Sequence, residues 1–246
     1  MLKKQKPLTL SIIIPVFNEK DYLDECLSSI DSQTVRPTEV IVVDNNSTDQ
    51  SSEIAKKYDF VSVVKEPKQG IVYARDKGFN TARSDLLGRI DADTVLPTDW
   101  VENVLSFYHK NSMSFALSGS CFYRNLKFMR QSTRLVDLAY YVFSYAFLRH
   151  NVLFGSNMVI PTWVWQVEGG RTCADNKYHE DIDLAVHIAK KVEIVRRPEL
   201  KCGAMFRISK KPGGLNRYIL RWVASLSHGI ALQSPKLSAN LLRTKN

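Results

Sequence analysis

The segments LSIIIPVF at Leu10–Phe17 and VIVVDNNSTD at Val40–Asp49 decide the fold. Each is a short run rich in β-branched apolar residues that stops abruptly at polar side chains. Strands that are almost continuously apolar are covered on both faces, as in parallel sheets. Between them, Glu19–Gln33 sets Tyr22, Leu23, Cys26, Leu27 and Ile30 on one helical face. The alternation continues outward: Val61–Lys65 and Leu86–Asp91 read as strands, and Gln50–Tyr58 and Gly70–Ala82 as helices. The pattern predicts an α/β fold with a mostly parallel central sheet, helices on both faces and right-handed crossovers. In such a sheet ligands bind beyond the carboxyl ends of the strands. Asn18 and Glu19, Asp44 to Asp49, and Asp91 with Asp93 all fall there.

Beyond Asp93 the regularity weakens. Pro97–Lys110 reads as a helix, Phe115–Cys121 and Val152–Ile160 as strands flanking a long aromatic helix, and His179–Lys191 as another helix. The 246 residues are 44% hydrophobic and 24% charged, enough apolar material for a core, which excludes disordered and fibrous classes. No repeat or Pro/Gly-rich junction divides the chain, so a single domain over 1–246 is expected, with one functional half at about 8–95 and another at about 96–230. No apolar run reaches the ~18–20 residues of a membrane span. The N-terminus reads as a flexible basic arm rather than a leader peptide, because its apolar part runs into Pro15 with no small-residue cleavage site.

The four cysteines, Cys26, Cys121, Cys173 and Cys202, lie far apart with no C-x-x-C, which indicates neither a disulfide framework nor a Cys-type zinc site but reduced thiols in a cytoplasmic protein. Net charge is +9, and its position is more informative than its size: Val186–Asn246 holds 13 Lys/Arg against 2 Asp/Glu. That segment could attract an anionic membrane surface or a phosphorylated substrate. No nucleic-acid motif accompanies it, so no nucleic-acid partner is expected.

Both standard glycine-rich phosphate loops are absent. The chain offers instead Asp91 and Asp93, in RIDADT. On extended backbone, residues i and i+2 share a side about 6.6 Å apart, so both carboxylates could meet one hard cation. Asp181 and Asp183 repeat the D-x-D pattern, but on a helix they diverge by about 200° and cannot share a ligand. Asp44 closes a strand, where a carboxylate can accept hydrogen bonds from a base or ribose; the Asn, Ser and Asp content of DNNSTD also suits a plain turn.

Taken together, these residues resemble the inverting nucleotide-sugar glycosyltransferases of family 2, which have the GT-A fold. The resemblance is carried, in order, by SIIIPVFNE (Ser11–Glu19), VVDNNSTD (Val42–Asp49), GIVYARDKGF (Gly70–Phe79), DAD (Asp91–Asp93), GSN (Gly155–Asn157) and HED (His179–Asp181). It implies a metal-dependent transfer of a sugar from a nucleotide diphosphate to an acceptor hydroxyl, on a glycan or lipid-linked intermediate. Pro15, Phe17, Glu19, Asp44, Arg75 and Asp91 would then bind the nucleotide, and Asp91 and Asp93 would hold Mg²⁺ or Mn²⁺. Asp181 would be the catalytic base, with Gly155, Ser156, Asn157 and Glu180 on the acceptor side. A UDP-sugar is the favoured donor and GDP-mannose the second. His179 and His228 are further candidates near the acids and metal.

Two positions depart from the family pattern. Asp76 stands where Asn is common, an extra negative charge unless Arg75, Lys77 or Lys68 offsets it. Tyr218 stands where processive members have Gln before R-W, so no polymerase is inferred. One expectation places Tyr140, Tyr141, Phe143 and Phe147 at a bilayer interface, with Lys210, Lys211, Arg217 and Arg221 on lipid phosphate, hence a peripheral site at the inner face of the cytoplasmic membrane. The same aromatics at helical spacing also suit a core. The alternative to an enzyme is a catalytically idle nucleotide-sugar-binding or scaffold protein of the same fold.

Overall fold

A computed structural model describes residues 7–126, 130–174, 177–207 and 214–233. The expected basic arm at residues 1–6, together with Lys210 and Lys211, lies outside them. Among the described residues seven strands form one sheet: β1 (Leu10–Val16), β2 (Glu39–Asp44), β3 (Val61–Lys65), β4 (Leu86–Arg89), β5 (Phe115–Tyr123), β6 (Met158–Pro161) and β7 (Glu193–Ala204). Their spatial order is β3-β2-β1-β4-β6-β5-β7. β1, β2, β3 and β4 pair in parallel, as do β5 and β7, and β6 runs antiparallel between β4 and β5.

Alternation along the central strands explains the two layers of helices. Ile12, Ile14, Val40 and Val42 face one side and pack with α1 (Leu23–Asp31), α2 (Ser51–Ala55) and α4 (Trp100–Lys110). Ile13, Ile41 and Val43 face the other and pack with α3 (Ile71–Thr81), α5 (Arg130–Leu148), α6 (Thr162–Glu168), α7 (Glu180–Ile188) and α8 (Gly214–Gln233). Each such buried aliphatic side chain is worth about 1.5–3 kcal/mol. α3 lies so close to β1 that a Cβ on Gly78 would come within 2.4 Å of Ile13 Cγ2, so only glycine fits there.

The first half follows the sequence pattern closely. In the second half, residues 152–157 form a loop instead of the start of a strand, and the strand begins at Met158. α6, α8 and β7 are elements that periodicity did not reveal. β7 carries Pro198 and alternating charges, and it is held as a strand by its parallel register with β5, which shifts between Ser118 and Ser120. That register also brings together two thiols distant in sequence: Cys121 and Cys202 are partners with Sγ atoms 3.2 Å apart, both free.

The aromatic helix divides between the two expectations made for it. Tyr141 is buried and its hydroxyl lies 3.0 Å from that of Ser118, while Tyr140 packs on Trp222. Phe143 and Phe147 are exposed. Arg221 turns inward, donating to the Tyr178 carbonyl at 2.6 Å, whereas Arg217 is exposed. Among the described residues no helix is long and apolar enough to cross a membrane.

Candidate active site

The rim of the sheet is assembled from loops that hold one another. After β1 the chain enters the left-handed region at Asn18 (φ 56°), whose side-chain oxygen accepts from Thr48 N at 2.7 Å. Glu19 N donates to Ser51 Oγ (2.8 Å) and Lys20 N to Asp49 Oδ2 (3.1 Å), so the loops after β1 and β2 form one unit. Asn45 extends it: its amide donates to the carbonyls of Glu66 and Lys68 and its oxygen accepts from Gly70 N at the start of α3. Much of DNNSTD therefore serves the turn. Asp44 itself is buried at the end of β2, in register with Val16, and accepts from Ser47 N at 2.9 Å. Pro15 is buried within β1, and Phe17 is 49% exposed at its mouth.

Asp91 and Asp93 do not lie on extended backbone. They bracket a turn closed by Thr94 N donating to the Asp91 carbonyl at 3.0 Å, because β4 ends at Arg89. The two carboxylates still lie close enough for the charge of one to act on the other. Burial, then the charge of Asp91, pushes the Asp93 carboxyl up to about 6, against the opposing pull of Arg207. Arg207, just after β7, forks onto both oxygens of Glu19 (2.9 and 3.0 Å) and reaches Asp93 Oδ2 at 2.7 Å. Carboxylate oxygens that already draw a guanidinium are donors of the kind a hard divalent cation takes.

Asp91 joins this rim to the later helix. Its Oδ1 accepts from Arg89 at 2.7 Å and its Oδ2 from the Ser156 hydroxyl. Arg89 also holds Glu180 Oε1 at 2.7 Å, and fully buried Arg75 holds Glu180 Oε2 at 2.7 Å, Asp76 Oδ1 and Thr172 Oγ1. Three acids thus share two buried arginines, with Glu180 buried between them and Asp76 and Asp91 partly exposed at the ends. Arg75, expected over the ribose and diphosphate, spends its guanidinium here, and it offsets the extra charge of Asp76 directly. Glu180 is likewise bound inside this network.

Asp181 sits at the first turn of α7 and turns toward the rim. Its Oδ2 accepts from Gly155 N at 3.0 Å and its Oδ1 from Ile182 N at 2.9 Å. Burial, then the neighbouring charge of Glu180, raises its carboxyl above the usual range despite Arg89, His179 and the Gly155 amide. Gly155 is the hinge of the arrangement: a Cβ there would lie 1.9 Å from the Arg89 guanidinium and 3.3 Å from Asp181 Oδ2. Asn157 points away into the core, where it accepts from Trp100 Nε1 (3.0 Å) and donates to the Ser120 and Leu200 carbonyls. His179 pairs with the Tyr218 carbonyl, and His228 points to Asp183 and Cys173 rather than to the Asp91–Asp93 turn.

Arg89 and Arg207 were not singled out in the sequence. Arg89 had a signal, since a charge inside the apolar strand LLGR must be paired where it is buried. Arg207 had none, because its place depends on β7.

Comparison with known proteins bears on this geometry. Residues 11–163 match the family model described as glycosyl transferase family 2. The minor teichoic acid biosynthesis protein GgaB of Bacillus subtilis is 29% identical over 153 residues, 56% of this chain and 17% of GgaB. The chain spans between 14% and 47% of the length of the curated relatives it matches. Among solved structures, Staphylococcus aureus TarS 1–349 in complex with UDP aligns with a TM-score of 0.68 at 18% identity, over 93% of this chain and 67% of that one. The mannosyltransferase PcManGT of Pyrobaculum calidifontis, in complex with GDP-Man and Mn²⁺, aligns at 0.64 and 18% identity, over 98% and 80%. These likenesses show the fold, a single α/β domain of the GT-A type.

Proposed function

The chain belongs to glycosyl transferase family 2, and from that premise we propose that it moves a sugar from a nucleotide-diphosphate donor to an acceptor hydroxyl by single displacement with inversion. The observation that carries this reading is the Arg89–Gly155 corner. It sets Asp91, on the rim formed by the first half, beside Asp181, on a helix of the second half: Arg89 bonds Asp91 and packs on Gly155, whose amide bonds Asp181.

In this reading Asp44, Glu19 and the Phe17 face receive the nucleoside, and residues of about 8–95 form the donor half. Asp91 and Asp93 would hold Mg²⁺ or Mn²⁺, whose charge would neutralise the leaving diphosphate. Arg207, a cation held on Glu19 and Asp93, is placed to pair with donor phosphate. Asp181 takes the proton of the acceptor hydroxyl as the new glycosidic bond forms. Its raised basicity suits that role. The Gly155 amide keeps one of its oxygens oriented, and Glu180, locked between Arg75 and Arg89, keeps α7 in place. Ser156 fixes Asp91 from the acceptor side.

A UDP-sugar remains the favoured donor and GDP-mannose the second, with a glycan or lipid-linked acceptor. The exposed Phe143 and Phe147 and the basic C-terminal quarter support meeting such an acceptor at an anionic bilayer surface. Flotation with anionic liposomes at rising salt tests this part; no association at low salt removes it.

The central test is a thermal-shift panel of nucleotide sugars with and without Mn²⁺ or Mg²⁺, since a ligand of the native state raises stability by RT ln(1 + [L]/Kd). A donor-specific shift that depends on the cation and disappears in Asp93→Ala is the expected result. Binding without turnover, unaffected by Asp181→Asn, would instead favour the idle scaffold.

A further inference from the structure

α7 carries a second acid, Asp183, that faces away from the rim. Four side chains from three segments converge on it: Cys173 before α7, Asp183 and His187 one turn apart on α7, and His228 on α8. Each offers one ligand atom, and these four atoms all lie within 4.8 Å of one another. Cys173 Sγ is 3.4 Å from His228 Nε2, which is 3.5 Å from Asp183 Oδ1, itself 3.7 Å from His187 Nε2. Ligands about 2.0–2.3 Å from a central ion at tetrahedral angles stand roughly 3.3–3.8 Å apart. Three of the six pairs in the cluster have those dimensions, and the whole set lies within 4.8 Å.

Its surroundings point the same way. Asp183 Oδ1 and His187 Nε2 are buried and make no hydrogen bond, their nearest polar neighbours being one another and His228 at ion-pair distance, and buried polar atoms left without a hydrogen bond call for a reason. The other Asp183 oxygen is committed to Cys173 N at 2.7 Å, which aims Oδ1 at the centre. The His228 ring is stacked on Tyr178 at 4.5 Å between centroids, which fixes its orientation.

We propose that Cys173, Asp183, His187 and His228 form a structural zinc site. One thiolate, two imidazoles and a carboxylate make a borderline-soft donor set that selects Zn²⁺ over Mg²⁺ or Ca²⁺, which prefer all-oxygen sites such as that of Asp91 and Asp93. Four protein ligands close the coordination sphere, so the ion fastens α7, α8 and the preceding segment rather than acting on substrate. Binding displaces the thiol proton of Cys173, and any proton on the imidazoles, to solvent; nothing is oxidised or reduced. The fastening reaches the catalytic corner, because Thr172, next to Cys173, bonds Arg75 in the Glu180 network.

Cobalt substitution tests the site without reference to sugar transfer. The full chain, freed of metal by chelator and titrated with Co²⁺, is expected to show the intense visible bands of tetrahedral cobalt together with a thiolate-to-metal charge-transfer band. About one equivalent of Zn²⁺ should abolish both. Asp93→Asn should keep the full spectrum, and Cys173→Ser should lose the charge-transfer band. In the unmodified chain Zn²⁺ should slow alkylation of Cys173, a readout that survives if the serine variant does not fold. A weak octahedral spectrum alone, Cys173 alkylated at the same rate with and without Zn²⁺, or a tetrahedral spectrum abolished by Asp93→Asn would overturn the proposal.

Discussion

Asp181 and Asp183 are two residues apart on one helix and belong to different chemistries. Asp181 faces Gly155 and Arg89 at the rim of the sheet. Asp183 faces a cysteine and two histidines between α7 and α8. Helical geometry enforces the division, since a step of two residues rotates about 200°. The contrast teaches that neighbouring acids in a motif need not serve one site: the partners across the fold, hard arginine and amide on one side, soft sulfur and imidazole on the other, set what each does.

The sharpest way to break this contrast is to change the two acids separately. Asp181→Asn is expected to lower kcat by about 10²- to 10⁴-fold, the usual range for a general base, while leaving cobalt and zinc binding unchanged. Steady-state kinetics beside metal analysis reads both, and full activity would remove Asp181 from the mechanism. Next in size, Arg75→Ala leaves the buried Glu180 Oε2 without its guanidinium, Arg89 still holding Oε1, and should cost about 3–5 kcal/mol in denaturant unfolding. A loss within measurement error would show that the network is dispensable.

Asp183→Asn should abolish zinc-dependent stabilisation, about 2.7 kcal/mol when free Zn²⁺ is 100 times its Kd, and lower kcat far less than Asp181→Asn. If both variants fell equally in kcat with metal binding intact, the two faces of α7 would not be separate. Gly155→Ala forces the Arg89 guanidinium to move and is expected to cost about 1–3 kcal/mol, with kcat falling more than KM rises. The smallest effect is expected for Asp76→Asn, whose partly exposed carboxylate is one of two on Arg75: under about 1 kcal/mol by thermal melt, with donor binding preserved.

The sheet of the first half was legible because its strands are apolar on both faces and its helices are amphipathic, so local pattern and tertiary environment agree. β7 and α8 were not. β7 has a proline and charges where an isolated strand would have neither, and α8 leaves Leu220 and Val223 exposed, which blurs its periodicity. The site divides in the same way. Asp44, Asp91 and Asp93 were visible as acids at strand ends. The inward turn of Asn157 and the engagement of Arg75 with Glu180 were not visible, because a side chain's direction depends on what packs against it.

What the amino-acid order determined by itself was the period of each segment, and with it a parallel sheet whose carboxyl-end loops carry acids. Which residues meet was decided by tertiary structure alone. Arg75 and Glu180 are 105 positions apart, Cys173 and His228 are 55 apart, and Glu19 and Arg207 are 188 apart. The reason is physical: periodicity is a property of a few consecutive residues, whereas convergence at hydrogen-bonding distance requires strand register, helix rotation and loop path to be fixed together.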